Sequence, residues 1–238
     1  AKLTMQITDC EPEAVKIGLT ATSEYGDKKN VSDLFPALIH KLNLKEAIEL
    51  DILASPRAYL YKTEANLKDI EIKGSDYDPE KLLELLNNEA RNTAAVRIIK
   101  GFAERGLRGI VSCVPGGNLE HAKRMASLIR EEKIKDPATG QERALSAEVV
   151  SGDIKKDERS EIYEKFEKGE IDFLTFVDIL REGWDSETAK VLVNLRPTAS
   201  KVLAIQRLGR ILRKNPEEQD AVIVEFEDQF ALDKQPYT

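Results

Sequence analysis

Three arginines stand at positions 207, 210 and 213 of the octapeptide QRLGRILR, around Gly209. A guanidinium is planar and permanently charged, and its fork of donors matches the oxygens of a phosphate. Within a helix spanning 200–214, Gln206, Gly209, Arg210 and Arg213 would share one face at i, i+3, i+4, i+7 spacing. Ala204, Leu208, Ile211 and Leu212 would form the opposite, apolar face. Such a helix packs with one side and presents a polar stripe with the other. Glycine inside a helix costs about 1 kcal/mol relative to alanine, so a close approach of backbone or ligand is expected at Gly209. A surface helix with solvated arginines would carry the same residues.

Four strand-to-helix turns offer further chemistry, since an α/β sheet binds ligands at such turns. Gly116-Gly117-Asn118 follows a strand, and free N–H groups at a helix start can hold a phosphate oxygen. A plain tight turn explains the same glycines. In Ser151-Gly152-Asp153, Asp153 is placed as a helix N-cap. In Arg181-Glu182-Gly183-Trp184-Asp185, an acid just past a glycine can meet a ribose hydroxyl or a metal-bound water, and Trp184 is expected to pack. Ser200 is expected to cap the helix that carries the arginines.

The elements that must position these residues alternate along the chain. Strands are expected at 15–20, 57–63, 67–72, 108–114, 144–150, 171–176, 190–195 and 221–226. Helices are expected at 31–35, from 78 to about 105 with a break at Asn87-Asn88, and at 119–132, 155–168 and 200–214. This alternation predicts an α/β fold, with a mostly parallel sheet covered by helices on both faces. The change in character near 53–56 suggests two units, residues 1–53 and residues 54–238.

Composition narrows the class. The net charge is −7, which excludes a basic footprint over the whole surface but leaves room for a local phosphate-gripping groove. No apolar run reaches the length of a membrane span, and Cys10 and Cys113 lack the paired spacing of a zinc site or disulfide framework. No metal site is expected, and a reducing cytoplasmic setting is the simplest reading.

The order of these segments carries a family resemblance. TAT at 20–22, CVPGGNLEHA from 113, SGD at 151–153, VDILREGWD from 177 and QRLGRILR from 206 follow one another. The series resembles the superfamily II helicases and translocases, in which two RecA-like lobes clamp ATP. The nearest likeness is to their DEAD/DEAH-like, restriction- and repair-type branch. GLTATSEYGD is similar to motif III, CVPGGNLEHA lies where motif IV does, VDILREGWD resembles motif V and QRLGRILR resembles motif VI.

The resemblance implies roles residue by residue. Arg210 and Arg213 would reach the ATP γ-phosphate, Gln206 would organise the lobe interface, and Arg207 would link to the first lobe. Gly209, Gly183 and Asp185 would face the nucleotide, and Thr20 and Thr22 would couple its state to lobe closure. Gly116, Gly117, Asn118, Gly152 and Asp153 would lie toward a nucleic-acid backbone. Gln206, Val177 and Glu182 depart from the DEAD-box RNA helicase pattern, which expects His, Thr and Arg there, so DNA is favoured over RNA.

The 238 residues hold no G-x-x-x-x-G-K-[ST] and no DE-x-H or DEAD run. The chain therefore reads as the tail of a first lobe plus a complete C-terminal lobe. It would depend on a missing first lobe for ATP and Mg2+, and alone it would be inactive and bind neither tightly. The alternative is a catalytically inactive RecA-like module that binds nucleic acid or protein. An unrelated α/β enzyme, such as a nucleotide-sugar transferase, would leave the motif order unexplained.

Overall fold

The computed structural model describes residues 39–74, 76–178, 184, 186–214 and 220–230, with positions 17, 18, 37 and 236. The helix expected at 31–35, most of the proposed first-lobe tail and, apart from positions 17 and 18, the strand expected at 15–20 lie outside the described residues.

Six strands form one all-parallel sheet. They are β1 (Pro56–Asn66), β4 (Arg108–Ser112), β7 (Ala147–Val150), β8 (Phe173–Phe176), β9 (Ala189–Asn194) and β10 (Ala221–Gln229), in the order β1-β10-β9-β4-β8-β7. The central strands are built on short apolar runs, as expected for strands buried on both faces. Period-two alternation sorts their side chains. Val191, Val193, Val222, Val224 and Phe226 face α3 (Glu89–Ala103) and α4 (Glu120–Glu131). Leu192, Ala221 and Ile223 face the other way, with Phe166 of α5 (Lys156–Glu167) and with Leu208, the last residue of α6 (Lys201–Leu208). Helices therefore cover both faces, as the sequence predicts.

The C-terminal edge of the sheet is capped by a third cluster. Leu67, Ile70 and Tyr77 pack with Leu82 and Leu86 of α2 (Pro79–Leu86), and with Val114 and Phe230. Here the structure corrects the sequence reading. Residues 67–71 are a turn between β1 and the small hairpin β2 (Ile72–Lys73)–β3 (Asp76–Tyr77), because Leu67 and Ile70 both point into this cap instead of alternating. A short α1 (Leu44–Glu49) with an Asn43–Glu46 capping box precedes β1.

Two further corrections follow from polar sequence. The strand expected at 144–150 is shorter, and before it lies an antiparallel hairpin, β5 (Lys133–Lys135) and β6 (Glu142–Ala144). Arg143 holds this hairpin on the sheet by bridging Asp136 and Asp172, with bonds of 2.7 and 2.8 Å to the Asp172 carboxylate. Buried in the core, Arg91 and Asp228 bond at 3.0 Å, while Arg91 also reaches the Leu195 carbonyl and lies over the Phe226 ring. They tie α3 to β9 and β10.

Candidate functional site

The helix carrying the arginines ends at Leu208, not at Lys214. Gly209 is its C-cap, at φ −57° and ψ −17°, and the following residues form a turn that closes as a bridge between Arg213 and Leu53. The apolar half of the prediction holds: Ile211 and Leu212 are fully buried and Leu208 packs beside them. The polar stripe does not run as one helical face, because the chain leaves the helix in its middle. Nor does Gly209 meet a close neighbour. A Cβ there would lie 3.5 Å from the nearest atom, the Ile205 carbonyl oxygen.

Arg210, half-buried, donates through Nη1 to the main-chain carbonyl of Trp184 at 2.5 Å. Trp184 itself is buried, stacked on Tyr163 at 5.3 Å and edge-on to Phe166. It packs, as expected. The segment after β8 and the end of α6 are thus brought together on the α5/α6 face. Gly183 and Asp185, its flanking residues, lie outside the described residues, as do Thr20 and Thr22.

Arg213 sits at the strand-start end of the sheet. Its carbonyl accepts from buried Lys190 near the beginning of β9, and the Ala54 N–H, just before β1, donates to the Leu212 carbonyl at 2.7 Å. Burial pulls the Lys190 ammonium below its ordinary pKa. The Arg213 side chain is exposed. Arg213 therefore lies away from the C-terminal strand edge, where the turns after β4 and β7 are found.

Arg207 behaves differently from its neighbours. It is 7% exposed and donates within the lobe, to Asn194 Oδ1 at 3.2 Å and to the Arg196 carbonyl at 2.8 Å. Burial, together with the Arg196 charge, lowers its pKa to about 10. Asn194 in turn donates to Glu225 at 2.8 Å, and burial raises that carboxyl to about 7. Gln206, one residue earlier, is half-buried.

The loop after β4 lies at the C-terminal edge. Gly116, Gly117, Asn118 and Leu119 take φ of 107°, 53°, 53° and 66°, four left-handed residues in succession. Asn118 and Leu119 hold this conformation without the freedom of glycine. A chain of side-chain bonds fixes the loop from below. The Val114 N–H donates to His121 Nδ1 at 3.0 Å, His121 Nε2 meets Asn92 Oδ1 at 3.1 Å, Asn92 donates to Asn87, and Asn87 donates to Glu120. With Nδ1 accepting, Nε2 carries the proton. Gly117 and Asn118 are exposed and Gly116 is half-buried.

Gly152 and Asp153 are also exposed, in the turn after β7. Asp153 is not the N-cap of α5. That position belongs to Lys155, while the Asp153 N–H donates to Ser151 Oγ. Ser200 occupies the N-cap position of α6, but its side chain makes no capping bond.

Sequence reasoning did not single out Asp76, Asn194, Arg196, His121 or Glu225. For the last four the signal was present, as polar residues within or beside apolar runs. Asp76 gave none, since its partners lie more than a hundred positions away.

Comparison with known proteins places the chain. Residues 120–215 match the family model of the helicase conserved C-terminal domain. Over 211 residues the chain is 26% identical to IRC3 of Saccharomyces cerevisiae, named as an ATP-dependent helicase, covering 88% of this chain and 29% of that one. Over 234 residues it is 26% identical to the DNA 3'-5' translocase XPB2 of Sulfurisphaera tokodaii, covering 89% of this chain and 52% of that one. It thus spans about half or less of these curated relatives. A fragment of an HsdR subunit of a type I restriction enzyme from Vibrio vulnificus shares the fold, with a TM-score of 0.66 at 22% identity over 94% of this chain and 41% of that one.

Proposed function

We infer that the chain is a C-terminal RecA-like lobe of the superfamily II helicases and translocases, and that it forms one wall of a split ATP site in a nucleic-acid motor. The Arg210–Trp184 contact carries the reading, because it joins the two segments that would face the nucleotide. Arg210 and Arg213 would stabilise charge developing on the transferred phosphoryl group, from the side opposite the lobe that binds ATP. Arg207 is assigned a different role from the one the resemblance implies. Its partners within this lobe make it an anchor of α6 and not a link to the first lobe.

Among the described residues no group of three or more His, Cys, Asp or Glu side chains is placed to hold a metal ion. Mg2+ is proposed to be held by the first lobe of the intact protein. Residues 1–53 are proposed as the tail of that lobe and residues 54–238 as the second.

The nucleic-acid track is proposed at the C-terminal edge, along Gly116, Gly117, Asn118, Gly152 and Asp153, with DNA favoured over RNA. The name of the XPB2 relative supports that preference, as do Gln206, Val177 and Glu182. No helix among the described residues is long and apolar enough to cross a membrane, and a cytoplasmic setting is proposed from the unpaired cysteine spacing.

The test is the ATPase rate of the intact protein with duplex DNA, single-stranded DNA and RNA, at several salt concentrations. DNA is expected to stimulate most. Equal rates with and without every nucleic acid would overturn the motor reading, and stronger stimulation by RNA would overturn the preference for DNA.

A further inference from the structure

Asp76 lies in β3, in a hairpin outside every segment of the family resemblance. Its side chain is 14% exposed, and beyond the adjacent Tyr77 N–H its oxygens serve one short stretch of chain. Oδ1 accepts the Ala199 N–H at 2.8 Å, and Oδ2 accepts the Thr198 hydroxyl and Arg196 Nη2, each at 3.0 Å. These three residues lead directly into α6, whose own N-cap side chain makes no bond. The carboxylate therefore anchors the start of the helix and brings negative charge to its positive end.

Arg196 extends the anchor in two directions. Its Nη1 pairs with Asp178, near the start of the segment that reaches Trp184, and its carbonyl accepts from Arg207 of α6. Arg196 is 6% exposed, while its partner Asp178 is half-buried.

We propose that Asp76 is a positioning residue for phosphoryl transfer: it sets the start of α6 and, through Arg196, holds Arg207 within that helix, so that Arg210 is delivered to Trp184. The inference rests on the split-ATP-site reading. Helix α6 has eight residues and is about 12 Å long, so a tilt of roughly 5° at its start moves its end by about 1 Å. Misplacement on that scale can cost about a hundredfold in rate.

The experiment uses the intact protein with Asp76→Ala, Asp76→Asn, Arg210→Ala and the Asp76→Ala/Arg210→Ala double variant. Asp76→Ala is expected to lower kcat roughly tenfold or more while the KM for ATP stays within about twofold. Asp76→Asn keeps an acceptor for Ala199 and loses the charge facing Arg196, so its kcat should fall between wild type and Asp76→Ala. The double variant should be no slower than Arg210→Ala, because both changes act on one group. An unaffected Asp76→Ala beside an inactive Arg210→Ala overturns the inference and leaves the split-site reading standing. An active Arg210→Ala overturns that reading and the inference with it. If Asp76→Ala does not fold, Asp76→Asn carries the test, and a wild-type kcat there is the overturning result.

Discussion

Arg210 and Trp184, 26 residues apart, meet through a guanidinium-to-carbonyl bond of 2.5 Å. The bond joins the turn after α6 to the segment between β8 and β9. It fixes the arginine by main chain, which any residue at 184 could supply, while the indole anchors that main chain by stacking on Tyr163.

In the intact protein, Arg210→Ala is expected to lower ATP turnover by about a thousandfold or more while nucleotide binding changes little. Arg210→Lys should not rescue it, because an ammonium lacks the planar fork. Steady-state ATPase and equilibrium nucleotide titration check this together. Normal turnover by the alanine variant would show that Arg210 does not serve the transferred phosphoryl group.

The 238-residue chain alone should show no ATP turnover above background. Its arginines would have no phosphate held in place, and phosphoryl transfer depends on positioning. Phosphate release from the purified chain, with and without DNA, measures it. Turnover stimulated by DNA would mean that these residues build a complete site.

The sheet was legible because its central strands are continuous apolar runs, such as IVSCV at 110–114 and VLVNL at 191–195. The hairpin of β5 and β6 was not, because KIK and ERA have no apolar pattern and their fixing contact, Arg143 to Asp172, is long-range. The end of α6 was misplaced although Gly209 is a C-cap signal, since Ile211 and Leu212 continue an apolar pattern that a buried turn satisfies equally well. The arginines are proposed from residue type and order alone. Their anchorage through Asp76 and Arg196 depends on contacts spanning about 120 residues, which periodicity does not reveal.

Two glycines should respond oppositely to alanine. At Gly109 a Cβ would lie 2.1 Å from the Val191 carbonyl oxygen, inside the paired strands β4 and β9. Gly109→Ala should therefore destabilise by about 3 kcal/mol. Gly209→Ala has room and a helical φ, so stability should hold or rise slightly. Denaturant midpoints compare the two. A loss of ATPase in a fully stable Gly209→Ala would reveal a ligand approaching that glycine.

His121 should make the lobe acid-sensitive. Burial first, and then the Arg91 charge, lower its pKa to about 3, against about 6.5 unfolded. Between these values the unfolded chain binds a proton that the folded chain refuses. The contribution is fully present above about pH 6.5 and is lost as pH falls toward 3. His121→Gln should remove this contribution and leave the opposing one of Glu225, so that the variant loses stability as pH rises from 5 to 7. His121→Ala should also cost about 1–3 kcal/mol at neutral pH, since it leaves the Val114 N–H unpaired. Denaturation between pH 7 and pH 5 tests both. An unchanged slope in His121→Gln would show that the imidazole is protonated in place.

Glu225 should act with the opposite sign. Burial raises its pKa to about 7, against an ordinary 4.5, despite the Asn194 hydrogen bond and the Arg207 charge. Between those values the folded chain keeps a proton that the unfolded chain has released. Its contribution is fully present below about pH 4.5 and is lost as pH rises to 7. Glu225→Gln stays neutral and keeps a carbonyl acceptor for Asn194. It should therefore be more stable than wild type at pH 8, by on the order of 2 kcal/mol, with the difference shrinking toward pH 5. Because His121 loses stability in the direction in which Glu225 gains it, wild type should be nearly flat from pH 5 to 6.5. In Glu225→Gln the His121 slope should emerge alone. Parallel pH profiles for the two proteins would mean that Glu225 is ionised in the fold and held by Arg207.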